Sequence, residues 1–131
     1  MDITRPITLG GKILTLHLRA GDTSFDLRAQ DDLGKDEVVV VVGYDEAAEL
    51  SAALGAKLLS LRDPQADNDK TEIYAEDVKQ QAATVTLFEV HNGTVTIQLD
   101  TRDSPEVATL TADETGLTEL IVAIATAVSQ L

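Results

Sequence analysis

The stretch from Val38 to Leu61, VVVVVGYDEAAELSAALGAKLLSL, decides the fold. Five valines in succession suit a strand buried on both faces, since β-branched side chains pack well on a pleated surface. The same run reads as a central strand, because edge strands are usually blunted with charge. Gly43 ends it, and Asp45 is placed to cap the helix that follows, with Glu46 in the first turn near the positive end of the dipole. Along that helix Ala47, Leu50, Leu54, Leu58 and Leu61 recur at three- and four-residue spacing and make one apolar stripe. Ala52, Ala53, Gly55 and Ala56 keep the helix slim enough to lie close to a sheet, and Arg62-Asp63-Pro64 stops it.

Working outward, a fainter strand-then-helix unit closes the chain at Glu106 to Leu131. Val107 to Leu110 supplies the strand, and Thr111 or Asp113 caps a helix whose stripe is Leu117, Leu120, Ile121, Ile124, Val128 and Leu131. Val122, Ala123, Ala125 and Ala127 leave this helix apolar almost all round, so it needs a second surface to cover it. A homodimer would provide one, and those six stripe residues are the expected interface.

Before the valines, Ile7 and Leu9 alternate up to Gly10-Gly11, and Leu14, Leu16 and Leu18 resume the alternation beyond it, which is a β-hairpin signature. Gly21-Asp22 marks another turn, Phe25 and Leu27 a short third strand, and Gln30 to Asp36 a polar loop. Asp63 to Lys70 reads as a linker, and Thr71 to Ala83 is ambiguous between strand and helix. Val85 to Val90 and Val95 to Leu99 flank His91-Asn92-Gly93, with Asn-Gly as the hairpin turn. The prediction is one α+β domain over residues 1–131, with a mostly antiparallel sheet and helices packed on it. A pseudo-duplicated repeat would pair halves 1–62 and 84–131 across a connector at 63–83, with the Phe25 strand as an insertion in the first.

Composition limits the function classes. The chain has 131 residues, 44% of them apolar and 25% charged, enough for a real core. Aromatics make up 3%, so that core is built from Val, Leu, Ile and Ala. Twenty-three acids against 10 bases give a net charge of -13, which repels phosphate backbones and anionic membranes and favours basic partners. Without cysteine, disulfides and thiolate chemistry are excluded. Met1 to Pro6 lacks the basic-then-apolar pattern of a secretory signal, and the longest apolar runs are too short to span a bilayer. A soluble cytoplasmic protein, free or assembled into a particle, is expected.

Chemistry-bearing motifs are weak. His17 sits mid-strand on the polar face and His91 enters a hairpin, neither in metal-ligand spacing. Asp67-Asn68-Asp69-Lys70-Thr71-Glu72 begins like a calcium loop, but the sixth position is not Gly and the twelfth is Val78. The pairs Asp31-Asp32, Asp36-Glu37, Asp45-Glu46, Glu76-Asp77 and Asp113-Glu114 read as caps and solvating charge. The serines lack a nucleophile elbow, and Gly10-Gly11 belongs to no phosphate-binding motif. A small-ligand or enzyme reading would be sought first around His17, Arg19 and Tyr44. No catalytic residue, cofactor or metal is assigned.

Two copies of a multi-strand sheet followed by a helix resemble the PUR-repeat and whirly groups of single-strand nucleic-acid binders, over most of the chain and by element order. That resemblance implies stacking platforms and a basic groove on the sheet. The outward positions Thr15, His17, Asp26, Thr96, Gln98 and Asp100 offer only His17 as a platform, and the net charge has the opposite sign. The reading that leads is a non-enzymatic interaction or structural protein acting through surfaces, self-associating or serving as a subunit of a virion or secretion complex. Its alternative is an acidic inhibitor or nucleic-acid mimic that occupies a basic protein's site, with carboxylates concentrated on one face.

Overall fold

Alternation and turn chemistry together lay out a continuous meander. The computed structural model describes residues 2–63 and 65–131. These form strands β1 (Ile3–Leu9), β2 (Lys12–Leu18), β3 (Ser24–Gln30) and β4 (Glu37–Gly43), then helix α1 (Tyr44–Arg62). Strands β5 (Thr71–Glu76), β6 (Ala82–Leu87), β7 (Val95–Thr101) and β8 (Ala108–Ala112) follow, then helix α2 (Glu114–Val128). Each strand pairs antiparallel with the next, in the order β1 to β8, and both helices pack on the sheet, so the fold is α+β.

The two hairpins expected from Gly10-Gly11 and Asn92-Gly93 are present. Leu9 pairs with Lys12 around Gly10 (φ 60°) and Gly11 (φ 82°), and His91 bridges Thr94 around Asn92 (φ 52°) and Gly93 (φ 76°). Two successive left-handed residues are what a two-residue hairpin turn requires. At the exposed end of the sheet β1 is blunted by Pro6, which has no N–H to offer a further strand.

Four strands precede each helix, which corrects the expected halves. There is no first-half insertion around Phe25. Instead, the connector expected at 63–83 contains β5 and the start of β6. Ile73 points inward between outward Glu72 and Tyr74, and Glu76 to Ala83, despite its helical propensity, forms the β5–β6 turn with a strand end on either side. Met1 and Pro64 lie outside the described residues. Of the stop expected at Arg62-Asp63-Pro64, the part seen is α1 ending at Arg62, with Asp63 extended as its cap.

The core lies between the sheet and the helix pair. Phe25 is its one aromatic among Leu, Ile, Val and Ala, as the composition demands. Val38, Val40 and Val42 are fully buried, whereas Val39 and Val41 are only half-buried on the outer face. The expectation of burial on both faces is corrected accordingly, because helices cover one face of the sheet. Nor is β4 an ordinary central strand. It pairs with β3 over its whole length but with β5, among the described residues, at Val41↔Glu76 alone. The sheet therefore splits beside β4 into two four-strand halves.

Caps and stripes differ in detail from the sequence pattern. α1 starts from Gly43 with no side-chain cap, leaving Asp45 and Glu46 inside the first turn. On α2 Asp113 is the cap, its carboxylate accepting from Gly116 N at 2.8 Å. The buried stripe of α1 runs Ala47, Leu50, Leu54, Lys57 and Ser60, so its last turns present polar side chains inward. Gly116 lets α2 approach β1 closely: a Cβ there would lie 2.8 Å from Leu9 Cδ2.

Candidate interaction surfaces

The first surface is the outer face of the β1–β4 half. Ile13 on β2 and Leu33 in the β3–β4 loop stand 56% and 60% exposed, and unlike the comparably exposed Leu59 they share one concavity. They flank a groove of about 530 Å³ whose wall includes Lys12, Thr15, Arg28 and Glu37. The loop is fixed from beneath. Asp31, itself buried, accepts from Lys35 N at 2.9 Å and Asp36 N at 3.2 Å. Inside the groove Arg28 donates to Asp26 at 2.7 Å and lies 3.8 Å from Glu37. Its Nε is buried without a hydrogen-bond partner among the described residues.

The same loop closes the meander. Asp32 N donates to Val107 O at 2.8 Å, beside the free edge of β8. The Asp32 carboxylate accepts from Thr109 N at 2.8 Å, Thr109 Oγ1 at 2.9 Å and Lys12 Nζ at 3.2 Å. Burial pushes the Asp32 carboxyl up, but the Thr109 hydrogen bonds, with Lys12, outweigh it and hold the group below its usual value. Lys12 also donates to Thr109 O at 2.8 Å. At the adjacent hairpin tip, Gly10 touches Thr111 so closely that a Cβ would sit 2.1 Å from Thr111 Oγ1. The β3–β4 loop and the start of β2 are thus joined to β8 by side chains.

The second surface is the split beside β4. Its cleft, about 270 Å³, is lined by Asp36, Glu37, Val39, Asp77, Val78 and Asp103 among others. Asp77 also lines a neighbouring cavity of about 350 Å³ with Ser24, Val41, Glu46 and Glu76. Asp77 is 2% exposed and organises the β5–β6 turn: its Oδ1 accepts from Lys79 N at 2.8 Å and Gln81 N at 2.9 Å. That turn holds Gln80 at φ 63°, a left-handed conformation that needs such support. Asp77 Oδ2 is buried and has no partner among the described residues. Lys79 lies 2.7 Å from Asp103, and that hydrogen bond and charge, with a contribution from Asp77, raise the Lys79 ammonium above its usual value.

The residues singled out by sequence fall elsewhere. His17 is half-buried on the outer face, its Nδ1 2.9 Å from Thr4 Oγ1. Arg19 and Tyr44 are exposed, and no hydrogen bond or ion pair joins them to His17 or to each other among the described residues. His91 sits exposed at its hairpin. In the calcium-like stretch, Asn68 and Asp69 instead clasp the linker to the body. Asn68 Oδ1 accepts from Val90 N at 2.9 Å, and Lys57, 2% exposed, donates to Asp69 O and Asn68 Oδ1. Burial drives the Lys57 ammonium down, against nearby Asp69, Asp67 and Glu89. Among the described residues no three Asp, Glu or His side chains converge to hold a metal ion, and no helix is long and apolar enough to cross a membrane.

On α2, Leu117, Leu120 and Ile124 are buried in the chain's own core, and Ile121, Val128 and Leu131 are half-buried against it. The second surface that the helix needed is α1, whose end Arg62 binds Glu114 at the start of α2. The groove and the split were not legible in advance. Nothing in the sequence pattern marks Ile13, Leu33 falls within the polar loop Gln30 to Asp36, and Asp77 reads as solvating charge. No protein-family model matches the chain, and no curated protein matches it either.

Proposed function

We propose that this chain acts by contact, as an interaction or structural unit that engages a protein through the groove between Ile13 and Leu33. The observation that carries the reading is the exposure of these two side chains across a concavity on a braced scaffold. Large aliphatic groups held in water gain roughly 1.5–3 kcal/mol each on full burial. A strand or loop of a partner, with an apolar side chain seated between them, would gain that energy and could accept from Arg28 Nε. A second copy of this chain is the first partner to test.

The mimic reading finds less support. Carboxylates lie on both helices, on the outer faces of both half-sheets (Asp26, Glu37, Glu72, Glu76, Asp100) and in most loops, with no single face set apart. The same acids weigh against single-strand nucleic acid on the sheet, where Tyr74 and His17 are the aromatic platforms offered.

Light scattering across a concentration series, run on the wild type and on an Ile13→Ser/Leu33→Ser variant, tests the proposal. Self-association that the variant abolishes supports it, as does a specific partner whose binding the variant abolishes. A strict monomer, with every partner insensitive to both substitutions, would sink it.

A further inference from the structure

We infer that the split beside β4 is a second recognition site, one that takes a basic side chain, lysine or arginine, from an extended segment of a partner protein. The groove's rim residues Ile13 and Leu33 play no part in this inference, although Glu37 lines both surfaces. Three observations converge on it. Acidic side chains dominate the cleft, with Asp36, Glu37, Asp77 and Asp103; of the neighbouring cations, Lys79 is committed to Asp103 and Arg28 lies 3.8 Å from Glu37. A buried carboxylate oxygen is left over as well. Asp77 Oδ1 is consumed inside its own turn, so the oxygen that Asp77 retains for the cavities it lines is Oδ2. That atom has lost water without gaining a protein donor, a cost that a donated N–H recovers.

The third observation is the strand edge. Below Val41↔Glu76, β4 has no ladder partner on its cleft side among the described residues, and with β7 close by, an extended segment can cross only the mouth of the cleft at residues 36–39. Half-buried Val39 and 57%-exposed Val78 then provide apolar surface for the methylene stem of a long basic side chain. A metal ion is a poorer occupant, because three carboxylates do not converge here among the described residues.

The test uses the full chain, amide chemical shifts and three probes: acetyl-Val-Arg-Val-amide, acetyl-Val-Lys-Val-amide and the uncharged acetyl-Val-Gln-Val-amide. Asp77→Asn is the informative variant, because asparagine keeps the acceptor for Lys79 N and Gln81 N and removes the charge. Saturable shifts at Val39, Asp77 and Val78 are expected with the basic peptides, and binding at least about tenfold weaker to Asp77→Asn. Lys79→Gln, which frees Asp103, should bind more tightly than wild type. The relative affinity of the arginine and lysine probes identifies the head group. Equal shifts from the glutamine peptide, indifference to Asp77→Asn, or no perturbation of the cleft at all would each overturn the inference. So would calcium or spermidine giving the same shifts while the peptides give none. A failure here leaves the groove untouched, since Ile13→Ser/Leu33→Ser reports on that surface alone.

Discussion

Replacing Asp32 by alanine removes the side-chain latch between the β3–β4 loop and β8. Three hydrogen bonds are lost, from Thr109 N, Thr109 Oγ1 and Lys12 Nζ, the last of which keeps Thr109 O as an acceptor. Bonds to a buried charged acceptor contribute about 1.5–3 kcal/mol each, but the Asp32 and Lys12 side chains are 37% and 45% exposed, so water competes for all three. The expected loss is about 1–2 kcal/mol at pH 7, or roughly 3–7 °C in Tm for a chain of this length. Asp32 is held below 3.8 in the folded state, so its contribution is complete above that pH and disappears as pH falls through the folded value. Urea titrations of wild type and Asp32→Ala, followed by circular dichroism at pH 7 and again near pH 2, measure both points. The gap between the two proteins should close on acidification, and the Thr109 amide of the variant should exchange faster at pH 7. A gap of the same size at both pH values would refute the latch, as would no gap at pH 7.

The remaining predictions bear on other joints. Gly10→Ala places a Cβ against Thr111 at φ 60° and should cost about 2–4 kcal/mol, whereas Gly11→Ala, equally left-handed but facing open space, should cost about 1 kcal/mol. Adding Thr111→Ala to Gly10→Ala should restore at least about 1 kcal/mol by removing the nearest clash, as a double-mutant cycle in urea would show. Lys57→Ala should cost about 2–3 kcal/mol and speed proteolysis within residues 65–70, with Lys57→Met milder because the stem is kept. Equal protease sensitivity in wild type and Lys57→Ala would remove Lys57 as the clasp. Ile13→Ser and Leu33→Ser should each change stability by less than about 0.5 kcal/mol, measured by thermal melting, while weakening any groove-dependent association at least about tenfold.

Local rules carried the fold a long way. The Gly10-Gly11 and Asn92-Gly93 turns, the inward Leu14-Leu16-Leu18 and Val95-Ile97-Leu99 sets and both helices follow from chemistry within a few residues of each position. Errors arose where distant partners decide. β5 has one deeply buried residue, Ile73, so its alternation is faint, and pairing with β6 is what selects strand over helix. The sequence likewise does not show that α1 lies against the apolar surround of α2. Both candidate surfaces are invisible for a similar reason. The groove needs a hairpin residue, Ile13, and a loop residue, Leu33, brought to one rim. The split needs β4 to part from β5 after a single pair.

Charge then separates what the two surfaces can meet. A net charge of -13 opposes close approach of two copies wherever acids dominate the facing patches. Around the groove the ionic groups are paired within the chain, Lys12 with Asp32 and Arg28 with Asp26, so an apolar contact between Ile13 and Leu33 meets little opposing field. The split has four carboxylates, against which stand Lys79 at Asp103 and Arg28 at Glu37, and suits a positive partner. Each surface also borders the residue that holds one of the two buried unpartnered atoms found among the described residues, a donor at Arg28 Nε and an acceptor at Asp77 Oδ2. Buried polar atoms are nearly always satisfied, because leaving one bare costs about 1–3 kcal/mol. The two exceptions differ in sign as the two surroundings do, so the groove should select an acceptor from a neutral partner and the split a donor from a basic one.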